Sequence, residues 1–277
     1  MRSLISLHDL SKDNLFEIFN IAKEYMENPF SDVLKGKYVI LFFPESSIRT
    51  RVTFEKAISN MGGDKILFPS DALGKKEKLQ DVICYLNNWT DLIIARYNDI
   101  NVLKEIEKYS NNPVINGLSN VNHPCEVITD LFSIREKGYD IFNCKYLYVG
   151  VNGNIGMAWK EASDAFGLSF TQCCPKGYEI EGAQVCYNIE EVINKVDVII
   201  TDSLPANAIE DFRQYQITEE LLNKGKKTLL FAPCPPFYRG EEVSEDAILH
   251  SSFVGYSFKK NLLNVQQAII EFCMGIK

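Results

Sequence analysis

The stretch FFPESSIRTRVTFEKAISNMGG, residues 42–63, joins a strand to a helix through a polar turn. It continues the apolar run YVILFF, which predicts a buried strand. The pattern after the turn predicts a helix over residues 48–61, because Gly62 and Gly63 are typical of a helix end. The stretch is therefore one β–α unit, and similar units follow it along the chain.

The turn itself carries two arginines, Arg49 and Arg51, in the first turn of the predicted helix. The helix dipole already places partial positive charge there, so arginine has the wrong sign unless an anion is bound. Free backbone N–H groups and guanidinium forks both donate to a phosphate. The turn therefore predicts a phosphate site, with a plain helix start capped by Ser47 as the alternative.

Composition limits the classes of protein to which the chain can belong. Its 277 residues suffice for one large or two medium domains, and a hydrophobic content of 46% predicts a sizeable core. The net charge of −8 argues against a nucleic-acid partner. The N-terminal run LISL is too short for a signal peptide or a membrane span, and eight cysteines without a C-x-x-C pair predict reduced thiols in the cytoplasm. The three histidines show no zinc-ligand spacing, so we expect no metal.

Strand-like runs alternate with helical patterns along the whole chain, which predicts an α/β fold with parallel sheets covered by helices. A break at residues 135–145 separates two halves. In such sheets ligands bind beyond the carboxyl ends of the strands, and the unusual loops all follow strands. The other predicted helices are 78–89, 101–109, 124–137 and 155–166.

Four further loops carry chemical groups that need an explanation. Lys75, Lys76 and Lys78 crowd residues 73–81, although lysines in polar loops are usually solvated. Arg96 ends an apolar strand, where a charge needs solvent or a partner.

The other two loops carry a histidine and a cysteine. Pro124 holds His123 in the turn before a helix, and Cys234 precedes two prolines in a stiff segment. A structural histidine and an inert buried thiol are the alternatives.

The glycines of VGVNGNIG, Gly150, Gly153 and Gly156, favour a competing interpretation, a nicotinamide-dependent dehydrogenase. Their spacing is G-x-x-G-x-x-G, whereas the dinucleotide-binding turn has G-x-G-x-x-G. The following strand, LSFTQCC, also lacks the acidic residue that binds ribose. The dehydrogenase is therefore the weaker interpretation.

Taken in order, these loops resemble the aspartate/ornithine carbamoyltransferase family over nearly the whole chain. SIRTR is similar to the family's carbamoyl-phosphate motif S-T-R-T-R, and LGKK to the lysine loop of the aspartate branch. PVINGLS and HPCE are similar to segments of the ornithine branch, the latter to H-P-C-Q. PCPPFYRGEEV is similar to H-C-L-P-A-x-R-G-x-E-V, and DVIITD to the strand before the acceptor loop.

The resemblance implies two doubly wound parallel-sheet domains with the active site in the cleft between them. The carbamoyl-phosphate domain would be residues 1–136 with the C-terminal helix 260–277, and the acceptor domain residues 137–259. It also implies a homotrimer with shared sites, carbamoyl phosphate and an amine as substrates, and no cofactor.

The donor residues implied by the resemblance match the chemistry of carbamoyl phosphate. Ser47, Arg49, Thr50 and the N–H of Ile48 would hold the phosphate. Arg96 would bridge phosphate and carbonyl oxygens, and His123 would donate to the carbonyl oxygen as negative charge grows there. Glu126 would contact the carbamoyl NH2, and Lys76 would reach in from a neighbouring subunit. Arg51 points about half a turn away from Arg49 and is the weaker candidate.

The acceptor residues implied by the resemblance are Asn154, Asp202, Cys234 and Pro235. Asp202 would bind an ammonium group and Asn154 a carboxylate. A cis peptide bond between Pro235 and Pro236 would aim the carbonyls of Cys234 and Pro235 at the amine.

Several positions depart from the family pattern, and the most telling departure lies in the acceptor half. Glu126 replaces a glutamine, Pro233 a histidine and Leu262 an arginine, while PANA, residues 205–208, replaces the serine–methionine–glycine loop. We therefore predict a carbamoyltransferase for which free ornithine is a poor acceptor. The alternatives are an ordinary ornithine carbamoyltransferase that makes citrulline, and a non-catalytic homologue that keeps the anion pocket.

Overall fold

The computed structural model describes residues 2–73 and 75–276. The chain divides into two compact units, Met1–Phe132 with Lys260–Lys277, and Ser133–Lys259. Each unit contains a sheet in which all strands are parallel, which confirms the predicted α/β class. Within the described residues, no helix has the length and apolar content that crossing a bilayer requires.

The sheet of the first unit has the strand order β2-β1-β3-β4, so the chain moves outward from β1 and then returns to its other side. That reversal is where ligands bind in open parallel sheets. The strands are β1 Tyr38–Phe42, β2 Asp64–Phe68, β3 Leu92–Arg96 and β4 Val114–Leu118. The helices are α1 Lys12–Glu27, α2 Ile48–Asn60, α3 Leu79–Leu86, α4 Ile100–Tyr109 and α5 Pro124–Glu136, which begins in this unit, together with the C-terminal α9 Leu262–Met274.

Helices α1 and α9 form the most extensive helix–helix packing in the first unit. Leu15, Ile18, Phe19 and Ala22 recur at helical spacing on α1 and are all buried. Ser11 and Asn14 exchange side-chain-to-backbone hydrogen bonds of 3.1 and 3.2 Å in a capping box that fixes the start of α1. The sequence analysis did not predict α1, and α9 is shorter than the predicted helix 260–277.

The sheet of the second unit has the strand order β7-β6-β5-β8-β9, with its own reversal at β5. The strands are β5 Lys145–Val149, β6 Ser169–Cys173, β7 Gln184–Cys186, β8 Val198–Thr201 and β9 Leu230–Pro233. The helices are α6 Asn154–Phe166, α7 Glu219–Asn223 and α8 Gly255–Lys260. Pro233, which cannot donate to a ladder, lies on β9 at the sheet edge, where proline is tolerated.

The glycines between β5 and α6 are explained by the packing of Tyr148. A Cβ atom on Gly156 would lie 2.4 Å from Cε1 of Tyr148, and one on Gly150 would lie 2.6 Å from its hydroxyl oxygen. At the end of β6, Gln172 donates to the carbonyls of Gly150 and Tyr178, both at 2.9 Å. The glycines thus leave room for the buried ring of Tyr148. The amide of Gln172 lies near the end of β6, where a dinucleotide-binding dehydrogenase has an acidic residue.

Replacing Gly156 with alanine tests whether the Tyr148 ring requires a glycine at this position. The lost backbone freedom of glycine and the overpacking against the ring would change the stability of the protein in opposite directions. In open space, Gly156→Ala inside α6 would stabilise the protein by about 0.5–1 kcal/mol. Against the Tyr148 ring, overpacking should destabilise it by about 1–3 kcal/mol. Chemical denaturation of the wild type and the variant measures the difference, and a more stable variant would show that the ring does not require the glycine.

Candidate active site

The start of α2 brings together the predicted phosphate-binding groups. Ser47 is the N-cap residue and is 1% exposed, and Thr50 is also buried in the first turn. The Ser47 hydroxyl does not cap the helix; instead, Nη1 of Arg96 donates to its oxygen at 3.0 Å. The first N–H groups of a helix have no intrahelical acceptor, so this turn offers backbone donors beside a guanidinium group.

Arg96 reaches Ser47 because of an irregularity in the sheet. The register between β3 and β4 shifts at Ala95 and Arg96, so that Ala95 pairs with Asn116 and Arg96 with Leu118. Such a bulge changes the direction in which the next side chain points. The half-buried Arg96 thereby lies at the strand end beside α2.

The two arginines of the SIRTR turn have different surroundings. Nε of Arg51 forms a 2.7 Å ion pair with Oε1 of Glu55, one turn further along α2. Arg49 is exposed, and Ile48 beside it is 69% exposed. The charge of Arg51 is therefore balanced within the helix, as its lower ranking from the sequence anticipated.

His123 and Glu126 form a close pair at the start of α5. Nε2 of His123 lies 4.0 Å from Oε2 of Glu126, and their side chains are 5% and 6% exposed. A carboxylate in the first turn of a helix is favoured by the helix dipole. The glutamate that replaces the family's glutamine thus lies directly beside the histidine.

A buried polar network supports this histidine turn, and the sequence analysis missed it. The side-chain oxygen of Asn122 accepts hydrogen bonds from Asn116 Nδ2 and Ser119 Oγ, each at 2.7 Å. The Asn122 side-chain nitrogen donates to the carbonyl of Ile5 at 3.1 Å. The polar spacing in NGLSNVN was the available signal, because buried amides of this kind must be paired.

The lysine loop lies between β2 and α3, and Lys76 is exposed in it. Lys75 forms an ion pair with Asp71 at 3.7 Å, and Lys78 is the N-cap residue of α3. Gly74 lies outside the described residues. All three lysines are exposed, but Lys75 has an ion-pair partner and Lys78 begins α3 as its N-cap residue.

The predicted acceptor residues lie at the carboxyl ends of three adjacent strands of the second unit. Asn154 opens α6 after β5, Asp202 follows β8, and Cys234 follows β9. The Cys234 N–H donates to the Thr201 carbonyl at 2.9 Å, which ties the last two strand ends together. A Cβ atom on Gly153 would lie 3.8 Å from Oδ2 of Asp202, so the α6 turn also approaches Asp202.

Tyr148 marks the centre of this acceptor cluster. Its pKa is raised well above the usual value, first by complete burial and then by the nearby groups of Asp202 and Cys234. Its hydroxyl donates to the carbonyl of Val151 at 3.0 Å, within the turn that leads to Asn154. The sequence analysis did not single out Tyr148, which packs against the turn between β5 and α6.

The loop after β9 is held by a second residue that the sequence analysis missed, Glu242. Oε1 of Glu242 accepts from the N–H of Tyr238 at 2.6 Å, and burial raises the pKa of its carboxyl group. The peptide bond between Pro235 and Pro236 is cis, which confirms the prediction. The loop that begins with Cys234 is thus closed on itself by a buried carboxyl group.

The loop after β8 consists of core residues around an exposed tip. Leu204 and Ala208 are 8% and 0% exposed, whereas the segment 205–207 between them is exposed. The hydroxyl of Tyr178 donates to Oδ2 of Asp211 at 2.7 Å, which fixes the far end of the loop. Leu262, another departure from the family, is buried at the start of α9 in the first unit.

Residues 2–73 and 75–276 contain no group of three or more histidine, cysteine or acidic side chains arranged to hold a metal ion.

Comparisons with known proteins agree with the two-unit fold. The model of the aspartate/ornithine carbamoyltransferase carbamoyl-phosphate-binding domain matches residues 2–136, and that of the aspartate/ornithine-binding domain matches residues 143–273. An ornithine carbamoyltransferase of Archaeoglobus fulgidus is 31% identical over 99% of this chain and 98% of its own length.

Solved structures of ornithine carbamoyltransferases also match this chain over nearly its whole length. The ornithine carbamoyltransferase of Pyrococcus furiosus matches with a TM-score of 0.92 at 28% identity, covering 99% of this chain and 97% of its own. The anabolic ornithine carbamoyltransferase of Campylobacter jejuni matches with a TM-score of 0.91 at 28% identity, over the full length of both chains.

The different surroundings of Arg49 and Arg51 give a matched pair of variants. Inorganic phosphate should raise the melting temperature of the wild type, because a ligand that binds only the folded state stabilises it. Arg49→Ala should weaken phosphate binding about 10- to 150-fold, the value of a charged hydrogen bond worth about 1.5–3 kcal/mol. Arg51→Ala should keep the shift, because that arginine pairs with Glu55. Equal shifts in the wild type and in Arg49→Ala would contradict the site.

Proposed function

The chain belongs to the aspartate/ornithine carbamoyltransferase family, and we propose that it transfers the carbamoyl group of carbamoyl phosphate to the amine of a small, amino-acid-like acceptor. The observation that carries the proposal is the set of acceptor-side groups at three adjacent strand ends, with Asp202 retained beside the α6 turn. We propose that residues 1–136 and 260–277 bind the donor and residues 137–259 the acceptor.

On the donor side, the start of α2 receives the phosphate. The backbone N–H of Ile48 and the side chains of Ser47, Arg49 and Thr50 bind its oxygens. Arg96, which already donates to Ser47, bridges the phosphate and the carbonyl oxygen. This contact orients Arg96 before the substrate arrives, so less freedom is lost on binding.

The carbamoyl group lies against the start of α5. His123 donates to its carbonyl oxygen, and Glu126 accepts from its NH2 group. Because a carboxylate cannot donate, Glu126 fixes the orientation of the carbamoyl group more strictly than the family's glutamine, which can donate and accept.

The acceptor lies against the second unit. Asp202 pairs with the ammonium group of the acceptor and Asn154 with its carboxylate. The carbonyls of Cys234 and Pro235 accept from the attacking amine, which holds its lone pair toward the carbamoyl carbon. Asp202 supports this role because its Oδ1 already accepts from the N–H of Ser203 at 2.9 Å, which fixes the carboxylate.

The reaction follows from these positions. The neutral amine nitrogen attacks the carbamoyl carbon, a C–N bond forms, the bond between that carbon and the phosphate oxygen breaks, and the proton that the amine loses passes to the leaving phosphate. Negative charge grows on the carbonyl oxygen, where His123 and Arg96 donate, and on the leaving phosphate, which Arg49 and the start of α2 stabilise. Positioning and electrostatic stabilisation supply the catalysis.

We also propose that the protein is a homotrimer in which Lys76 completes the donor site of a neighbouring subunit. The first unit exposes large apolar side chains that a monomer would leave in water: Val52 at 58%, Ile66 at 45%, Tyr85 at 62% and Trp89 at 67%. Ile66 lies on β2, an edge strand. Lys76 is exposed near these elements, whereas Lys75 is paired with Asp71.

Ornithine carbamoyltransferase is the second candidate function, and the names of the relatives favour it. Against it stands the acceptor loop, whose exposed tip 205–207 carries no serine–methionine–glycine. The alignment with the A. fulgidus protein spans 301 positions against the 277 residues of this chain, so at least 24 positions have no counterpart here.

Free ornithine should therefore be a poor acceptor. Two lost contacts to its charged backbone, at about 1.5–3 kcal/mol each, would lower kcat/KM by roughly two to four orders of magnitude. Phosphate release and carbamoylated product should be measured at saturating carbamoyl phosphate with ornithine, N-acylated ornithine, other amino acids and diamines. If ornithine gives the highest kcat/KM of the panel, the second candidate is correct.

Asp202 provides the control for the same assay. Asp202→Asn should lower kcat/KM about 10- to 150-fold for acceptors with a free α-ammonium group, because one charged hydrogen bond is weakened. The apparent affinity for carbamoyl phosphate should stay unchanged, since its proposed ligands lie on the first unit. An equal loss for acceptors without that group would show that Asp202 does not bind it.

Mixing two inactive variants tests the shared site. Lys76→Ala and Arg49→Ala should each be inactive, but randomly mixed trimers should regain about a quarter of the wild-type activity, because one site in four receives both intact residues. Lys75→Ala is the control and should keep its activity. If the mixture stays inactive, or the protein sediments as a monomer, Lys76 does not act across subunits.

A further inference from the structure

Two cysteines face each other at the ends of neighbouring strands in the second unit, far along the sheet from Asp202. Cys173 ends β6, Cys186 ends β7, and the two residues are direct partners in the parallel ladder. Neighbouring strands lie about 4.8 Å apart, and paired residues project from the same face of the sheet. A disulfide requires a Cα separation of about 4.4–6.8 Å, so the ladder places this pair within bonding range.

The two thiols differ in accessibility. Cys173 is 0% exposed and belongs to the core of the second unit. Cys186 is partly exposed, and it ends a strand of only three residues at the edge of the sheet. A reagent from solvent therefore meets Cys186 first, with Cys173 behind it.

The two thiols also differ in ionisation. The neighbouring Cys173 thiol lowers the pKa of Cys186. The neighbouring Cys186 thiol, together with burial, raises the pKa of Cys173. Glu191 opposes ionisation of both, so the lowered pKa of Cys186 comes from its partner thiol. The accessible member of the pair is thus the better nucleophile.

The surroundings hold the pair in place. The N–H of Cys174 donates to the carbonyl of Cys186 at 3.3 Å, which extends the pairing beyond the strand ends. The hydroxyl of Tyr215 donates to the carbonyl of Tyr187 at 2.8 Å and fixes the next residue of the β7 strand end. These hydrogen bonds fix the backbone around both strand ends.

We propose that Cys186 and Cys173 form an oxidation site for hydroperoxides, in which Cys186 reacts first and Cys173 resolves the product to a disulfide across the two strands. The Cys186 thiolate attacks one peroxide oxygen, the O–O bond breaks, and the leaving hydroxide takes a proton to form water. The Cys173 sulfur then attacks the sulfenic sulfur, an S–S bond forms, the S–O bond breaks, and the departing hydroxide takes the Cys173 proton. Two thiols are oxidised, and hydrogen peroxide is reduced to two waters.

The test uses the reduced full-length protein and hydrogen peroxide in slight excess. After alkylation of the remaining thiols and proteolysis, mass spectrometry should detect a peptide that links Cys173 to Cys186, and dithiothreitol should remove the link. If Cys186 proceeds to the sulfinic acid while Cys173 is alkylated, or if Cys186 is not oxidised, the proposal is wrong.

Three variants sharpen the result. Cys186→Ser should abolish the linked peptide. Cys173→Ala, which keeps a small apolar side chain in the core, should also abolish it but leave a sulfenic acid on Cys186 that dimedone traps. Cys84→Ser removes an exposed thiol from the first unit and should leave the linked peptide unchanged. Loss of the link in this last variant would show that the pair does not react by itself.

Discussion

Parallel pairing is the constraint on which the candidate groups of each unit depend. Within each sheet every strand runs in the same direction, so the turns that leave the carboxyl ends lie along one edge. The sheet topology alone therefore brings residues that are distant in the sequence close together in space. Ser47 and Arg96 meet through the adjacent strands β1 and β3, and Asp202 and Cys234 through β8 and β9. The chain reversals at β1 and β5 leave a gap beside the central strand of each sheet, where a ligand has room.

The groups at these edges are held by residues that do not touch a substrate in the proposed reaction. Asn116, Ser119 and Asn122 pair their buried polar atoms around the turn that ends in His123. Tyr148 fills the space that two glycines leave beside the α6 turn. An unpaired buried polar group costs about 1–3 kcal/mol, so such networks stay in one arrangement. The side chains that they support are therefore also held in one position.

Periodicity in the sequence predicted the parallel α/β class and all five of the helices that it assigned, because buried strands and amphipathic helices leave regular patterns. It missed α1, although the apolar residues of this helix recur at helical spacing and Ser11 marks its start. It also left the glycines of VGVNGNIG ambiguous, since the reason for Gly150 and Gly156 is the ring of Tyr148, which lies eight residues upstream of Gly156. For the site, helical spacing already ranked Arg51 below Arg49, but the ion-pair partner of Arg51, Glu55, was not predicted.

The position of the departures explains how the acceptor could change while the fold stays the same. In the loop after β8, Leu204 and Ala208 are part of the core, and they keep the loop in place whatever lies between them. The tip 205–207 between them is exposed. Substitution there should cost little stability, because exposed positions contribute little to it. Ser47 and His123 have no such freedom, since both are buried and Ser47 also accepts a hydrogen bond from Arg96. Under the proposed function, this difference would allow the acceptor to change while the phosphate-binding turn stays the same.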